Sequence, residues 1–170
     1  MTARFLIEAL GPGHDRASFA CGVDALDRYF REQVSQDIRR RTIACYVALD
    51  REKAKVAGYY TLAAAGVPLT EMPEELAKKL PRYPSVPVAR VGRLAVDRSY
   101  RGQGLGSSLL WDAGLRALRS ELAVFALVVD AKDEQAAKFY RHHGFVAFGS
   151  RARQFVLPLA KLAEADRSGT

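Results

Sequence analysis

Cysteine, histidine and tryptophan are scarce in this chain, with two, three and one residues among 170. Cys21 and Cys45 are too few for a disulfide framework, and no Cys/His cluster with zinc-site spacing surrounds them. Both read as small apolar packing residues. A Cys–His nucleophile using His142 or His143 is the alternative, but neither cysteine opens a recognisable catalytic signature. No ligand cluster calls for a metal. Long apolar runs are also missing: stretches such as Val124 to Val129 are strand length, well below the roughly 18 residues of a membrane-spanning helix. Met1 to Leu10 carries Arg4 and Glu8 without a long apolar centre, so no secretory signal is read there. The expectation is a cytoplasmic protein with no membrane attachment. Internal repeats, low-complexity tracts and interdomain linkers are absent too, which predicts a single domain over residues 1–170, with a polar tail from Ala163 to Thr170 that frays.

Hydrophobic residues make up 49% of the chain, enough for one substantial core. The formal charge is +7, a field that attracts polyanions: nucleic acid, an acidic protein or cofactor phosphates. The basic residues cluster, with Arg39, Arg40 and Arg41 contiguous and Arg82, Arg90, Arg93, Arg98 and Arg101 within a short stretch. Charge alone does not choose among these partners, and for any single arginine a solvated surface position is the simpler reading.

Phe5 to Leu10 reads as a strand. Asp24 to Arg40 reads as a helix whose Leu26, Tyr29, Phe30, Val34 and Ile38 recur on one face, a face suited to packing on a sheet. Ile43 to Leu49 and Val56 to Ala65 read as antiparallel strands joined through the charged Asp50 to Lys55. Thr70, as a cap, and Pro73, in a first turn, predict a short helix to Leu80; Pro81, Pro84 and Pro87 then mark a surface loop. Val88 to Val96 resumes strand character, Gly104 to Arg119 reads as helix, and Val124 to Val129 as a buried strand, together a crossover unit. Asp133 caps a helix through His143, Gly144 supplies its left-handed stop, and Phe145 to Phe148 and Gln154 to Leu159 add two strands.

The chemistry concentrates in Arg101-Gly102-Gln103-Gly104-Leu105-Gly106, where a strand enters a glycine-rich turn and then a helix. Backbone N–H groups converge there at the positive end of the helix dipole, as a diphosphate requires, and glycine allows close approach. Ser107 and Ser108 follow without the lysine that a nucleotide triphosphatase needs. A dinucleotide fold would place its glycines after the first strand, whereas several elements precede these. The glycine spacing by itself is a weak signal, and a plain tight connection is its simplest explanation.

With its neighbours the segment resembles the GNAT acetyltransferases, whose pyrophosphate loop has the form Arg/Gln-x-x-Gly-x-Gly/Ala, matched by Arg101, Gly104 and Gly106. Asp130-Ala131 and Ala136-Ala137-Lys138-Phe139-Tyr140-Arg141-His142-His143-Gly144-Phe145 resemble the second signature of that family. The resemblance implies an α/β (α+β) fold, with a central mixed, mostly antiparallel twisted sheet flanked by helices and a splayed strand pair at the acetyl-coenzyme A site. It implies that Leu94, Ala95 and Val96 pair with the pantetheine amides. Arg101, Gly102, Gln103, Gly104, Leu105, Gly106 and Ser107 would wrap the diphosphate, and Asp130, Ala136, Phe139 and Tyr140 would complete the cofactor site. Tyr140 falls where the family places a tyrosine near the thioester sulfur. A phenol there can protonate the departing thiolate, and a packed aromatic is the simpler alternative.

No carboxylate or histidine stands out as a general base. A lysine amine of pKa about 10.4 needs roughly 4 to 5 kcal/mol to be neutral at pH 7, whereas an α-amine near 7.7 to 8.0 needs about 1 kcal/mol. An α-amine acceptor therefore demands less of the enzyme. Phe19-x-Cys21-Gly22, Leu26-Asp27-x-Tyr29-Phe30, Gly58-Tyr59-Tyr60-Thr61-Leu62 and Gly92-Arg93-Leu94-Ala95-Val96-Asp97 resemble, more narrowly, the GNAT toxins of bacterial toxin–antitoxin modules. That resemblance implies acetylation of the α-amine of aminoacyl-tRNA, a block to translation and neutralisation by a ribbon-helix-helix antitoxin. It also implies DNA contact only through that antitoxin, and a homodimer. Arg39, Arg40, Arg41, Arg82, Arg90 and Arg93 are the candidate tRNA contacts by charge clustering; Arg93 reads equally as a structural ion-pair partner. Acetylation of a small amine or protein N-terminus, and a non-enzymatic acetyl-coenzyme A-sensing or antitoxin-binding module, remain open.

Overall fold

The computed structural model describes residues 3–168. Seven strands form one sheet in the order β1-β2-β3-β4-β5-β7-β6: β1 (Phe5–Ala9), β2 (Ala44–Asp50), β3 (Lys55–Pro68), β4 (Ser85–Val96), β5 (Ala126–Asp130), β6 (Val146–Ala147) and β7 (Gln154–Pro158). β1, β2 and β3 pair antiparallel in sequence, as do β5, β7 and β6, whereas β4 and β5 run parallel. This is the mixed, mostly antiparallel α/β sheet the sequence predicts, with α4 (Leu105–Leu118) as the crossover between β4 and β5. Parallel pairing ends at Val91↔Val129, although β4 continues to Val96. Leu94, Ala95 and Val96 therefore lie beyond the last β5 partner.

The chain forms two compact units, Met1–Ala63 with Gly92–Ala113, and Ala64–Val91 with Gly114–Thr170. In the first, α1 (Asp24–Arg28), a π turn (Tyr29–Gln33) and α2 (Val34–Arg39) make up the predicted helix. The wide turn is the difference from a regular helix, and Tyr29, Phe30 and Val34 on and beside it are all buried. They pack with Phe19, Cys21, Cys45, Val47, Val56 and Tyr59 of the same core. Both cysteines are thus packing residues. Asp50, fully buried, accepts from the Arg4 guanidinium at 3.1 and 3.0 Å and from the Tyr100 hydroxyl.

In the second unit Val67, Met72, Val86, Val88, Ala126, Val128, Phe148 and Val156 form the core. α5 (Glu134–His142) is capped as its sequence requires: Asp133 Oδ1 accepts the Ala136 N–H at 2.8 Å, and Gly144 follows with φ +90°. Two local expectations are corrected. Thr70 caps nothing; it lies in a 3₁₀ turn (Leu69–Glu71), and α3 (Glu74–Ala77) starts after Pro73 without a side-chain cap. The proline-rich loop ends earlier than its composition suggests, because Ser85 to Pro87 already belong to β4. There Val86 is buried and the Pro87 carbonyl accepts the Phe125 N–H at 2.8 Å, a role that needs no N–H from proline. α6 (Leu159–Ser168) runs into the polar tail that begins at Ala163, and positions 169 and 170 lie outside the described residues. Leu159 and Leu162 are buried on its inner side, and Leu162 closes on Gly114 so tightly that a Cβ there would meet it at 2.5 Å.

Candidate functional site

The glycine turn leads directly into α4. Gly102 and Gly104 both have φ +78°, and a Cβ added at either meets nothing within 4 Å. Backbone conformation, not lack of room, is what requires glycine at these two positions, and the open space beside them leaves room for a ligand. The Ser108 N–H donates to the Gly104 carbonyl at 3.1 Å, so the N–H groups just before it stand ahead of the helix's i→i−4 ladder. Leu105 is buried and anchors the turn, while Arg101, Gly102, Gln103 and Gly104 are exposed. Arg101 is tied down: its Nη2 donates to the Cys21 carbonyl at 2.6 Å, fixing the entry to the turn. The 14-residue helix α4 starts after two glycines in the left-handed region, and a helix N-terminus of that kind carries partial positive charge and N–H groups without helical partners.

Tyr140 lies within α5 and is 6% exposed, with Phe139 edge-on at 5.3 Å, Phe145 edge-on at 5.6 Å and Phe155 tilted at 6.4 Å between ring centroids. Among the described residues its hydroxyl meets no hydrogen-bond partner. Burial, and then the charge of Asp130, pushes the phenol up to about 12. It therefore keeps its proton at neutral pH, the state a general acid needs. The Ala136 N–H is taken by the Asp133 cap, and Phe139 is half-buried against Tyr140. Burial pushes the Cys45 thiol up to about 12 as well, which removes it as a thiolate nucleophile at neutral pH. Cys21 is buried, with Sγ 3.7 Å from the Val23 carbonyl.

The six candidate tRNA arginines divide by their surroundings. Arg39, Arg40 and Arg41 are exposed at the end of α2, where the charge of Arg40 helps to lower the Asp37 carboxyl, and Arg82 is exposed in the proline-rich loop. Arg90 is engaged: its Nη1 is 2.6 Å from Asp130 Oδ2. The Arg93 guanidinium carbon stands 3.4 Å from the centroid of the Tyr29 ring, and the Tyr29 hydroxyl donates to Asp37 at 2.6 Å. Arg93 thus has structural partners, the Tyr29 face and, through its charge, the Asp37 carboxylate that Tyr29 bonds.

Sequence reasoning passed over Gln154. It opens β7, a strand buried at every position, and is itself 5% exposed with Oε1 unpartnered. The available signal was a polar residue starting an otherwise apolar strand.

The profile of the acetyltransferase (GNAT) domain matches residues 41–147. The chain belongs to the GNAT acetyltransferases. Among GNAT relatives, a tRNA-acetylating toxin of Mycobacterium tuberculosis is 34% identical over 133 residues, covering 77% of this chain and 78% of the relative. A probable toxin TacT of Sinorhizobium fredii is 26% identical over 170 residues, 94% of each chain. AtaT, solved in complex with acetyl-methionyl-tRNAfMet, superposes with a TM-score of 0.83 at 28% identity, covering 95% of this chain and 99% of that one. The same toxin has been solved as AtaTR with acetyl-coenzyme A (TM-score 0.81, 27% identity, covering 96% and 98%). It has also been solved bound to the C-terminus of the antitoxin AtaR (TM-score 0.78, 26% identity, covering 96% and 98%). This GNAT chain is thus an acetyltransferase homologous to tRNA-acetylating toxins. Among its described residues no helix is long and apolar enough to cross a membrane.

Proposed function

We propose that this acetyltransferase is a toxin that transfers acetyl from acetyl-coenzyme A to the α-amine of aminoacyl-tRNA. The observation that carries the reading is the 34% identity to a tRNA-acetylating toxin across 77% of the chain. The glycine turn and the buried, protonated phenol supply the chemistry that such a transfer needs.

Residues 1–170 act as one acetyltransferase domain. Gly102 to Ser107 hold the diphosphate on their N–H groups, and Leu94, Ala95 and Val96, past the end of β5 pairing, offer backbone groups to the pantetheine amides. Asp130, Ala136 and Phe139 complete the surroundings of the cofactor. The thioester supplies the acetyl group: the amine nitrogen forms a bond to its carbonyl carbon, and the carbon–sulfur bond breaks. Tyr140 gives its proton to the departing sulfur, and the proton that the amine gives up returns through solvent to the Tyr140 phenolate. The product, an N-acetylated aminoacyl-tRNA, has lost the nucleophilic α-nitrogen that peptide synthesis requires.

Arg39, Arg40, Arg41 and Arg82 are the arginines free to meet tRNA phosphates. Arg90 and Arg93 serve chiefly through Asp130 and Tyr29. The protein acts in the cytoplasm as a homodimer, is neutralised by a ribbon-helix-helix antitoxin, and reaches DNA only through that partner.

The test is transfer of radiolabelled acetyl to a charged total-tRNA pool by the native chain and by Tyr140→Phe. Label on aminoacyl-tRNA that falls sharply in the variant is expected. Label only on free amines or protein N-termini would keep the acetyltransferase and overturn the toxin reading; acetyl-coenzyme A binding without any transfer would make the chain a sensor.

A further inference from the structure

Packing accounts for Phe19, Leu26 and Tyr29 in the motif that runs from Phe19 to Phe30: Phe19 and Tyr29 lie in the core of the first unit, and Leu26 packs against it. It does not account for Asp27 or Gly22. Asp27 is a carboxylate only 6% exposed, a group that is costly to bury without a hydrogen-bond partner. Its Oδ1 accepts the Cys21 N–H at 2.8 Å. The Cys21 carbonyl in turn accepts from Arg101 Nη2 at 2.6 Å. The backbone of Cys21 thus links α1, which carries Asp27, to the arginine that opens the glycine turn.

Gly22 fits this link. Its φ is +92°, and a Cβ there would stand 3.0 Å from Arg101 Nη2 and 3.4 Å from Arg98 Cδ, so glycine lets the guanidinium lie close against the chain. A second clasp lies beside it: the Ala20 N–H donates to Asp97 Oδ2 at 3.0 Å, and the Arg98 N–H donates to the Ala20 carbonyl at 2.9 Å. Asp97, 3% exposed, also accepts the Ser99 N–H at 2.9 Å. Residues 20–22 are therefore bonded to residues 97–101, and both stretches belong to the same compact unit. The turn beyond Arg101 needs such anchorage. Gly102 and Gly104 have no side chains to restrict them, so the turn depends on its ends, buried Leu105 on one side and Arg101 on the other. Fixing a loop before its ligand arrives lowers the ordering cost of binding.

We propose that Asp27, the Cys21 backbone and Arg101 form a brace that holds the diphosphate turn in its binding geometry, with Asp27 and Arg101 as positioning residues for acetyl-coenzyme A. The assignment rests on the reading of Gly102 to Ser107 as the diphosphate site. Arg101 acts in it through the Cys21 carbonyl, not as a charge laid on the phosphates. Asp27 acts from α1 without touching the cofactor: it fixes Cys21, and Cys21 fixes the guanidinium.

Arg101→Met and Asp27→Ala, singly and together, test this by calorimetry with acetyl-coenzyme A. Thermal melting, and kcat at saturating acetyl-coenzyme A on whichever acceptor the native chain labels, are measured alongside. Asp27→Asn is the conservative variant, because its amide oxygen can still accept the Cys21 N–H. Each of the first two substitutions should raise Kd for acetyl-coenzyme A about threefold to tenfold, with a smaller effect on kcat. The double variant should lose no more than the larger single effect, since both changes break one link. Asp27→Asn should recover most of the native Kd. A raised Kd in Arg101→Met with a native Kd in Asp27→Ala makes Arg101 a direct phosphate ligand and overturns the brace. A lower Tm and kcat in Asp27→Ala at native Kd makes Asp27 purely structural and overturns it as well. Native Kd in both, with Kd raised in Gly104→Ala, overturns the brace alone. Native Kd in all three removes the diphosphate from the turn and takes the brace with it.

Discussion

Arg90 Nη1 and Asp130 Oδ2 stand 2.6 Å apart, joining the parallel strands β4 and β5 at the end of their pairing. In sequence, Arg90 belongs to a basic cluster suited to tRNA phosphates, and Asp130 to a cofactor signature. Their contact gives both residues a common local duty, and it separates Arg90 from the arginines that are free to bind an external polyanion.

The salt dependence of catalysis reads out this division. Combined replacement of Arg39, Arg40 and Arg41 by alanine should flatten the plot of log kcat/KM for charged tRNA against log salt by about 2 when each side chain neutralises one phosphate. Arg90→Ala should leave that slope unchanged. An equal loss of slope in both variants would place Arg90 on the tRNA.

Tyr140→Phe should lower kcat by about 10²- to 10⁴-fold, the usual worth of a general acid, with Tm nearly unchanged because the hydroxyl has no partner to lose. The phenol, raised to about 12 from an ordinary value of about 10, stays protonated through the working range. The pH profile of kcat should therefore show no alkaline fall below about pH 10. The same shift favours the folded state fully below about pH 10 and ceases to do so as pH rises towards 12. An alkaline limb near pH 8 in the native enzyme would assign the proton to another group.

Gly104→Ala should weaken acetyl-coenzyme A binding about tenfold by calorimetry. A Cβ at Gly104 has open space, so the penalty is the left-handed φ of +78°, about 1–2 kcal/mol for a residue with a side chain, together with displacement of the N–H groups it positions. Unchanged affinity would remove the diphosphate from this turn.

Asp50 governs acid stability. Its hydrogen bond from Arg4, and then that from Tyr100, hold its carboxyl well below the usual carboxylate range. That stabilisation is present above the unfolded value of about 3.9 and is lost as pH falls through the lower folded value. Asp50→Asn should lower Tm at pH 7 and reduce the further loss of Tm on acidification. A melting profile parallel to that of the native chain between pH 5 and pH 2 would rule out this role.

Elements with strong local signals were legible in the residues. Asp133 and Gly144 bracket α5 because a carboxylate cap and a left-handed glycine stop are properties of a few consecutive residues. The glycine turn before α4 and the apolar run of β5 are local in the same sense. Thr70 misled because the helix starts only after Pro73, about one turn later.

The sequence by itself determined the family, the crossover from β4 through α4 to β5, the glycine turn before α4 and the tyrosine on α5, since each is encoded by residue types at short fixed spacing. Only the tertiary structure decided what the charged and polar side chains meet. Arg90 finds Asp130 forty positions away, Arg4 finds Asp50, Arg101 finds the Cys21 carbonyl, and Gln154 finds no partner at all. Such contacts depend on strand register and burial, which set distances between residues remote in the chain, and no local pattern carries that information.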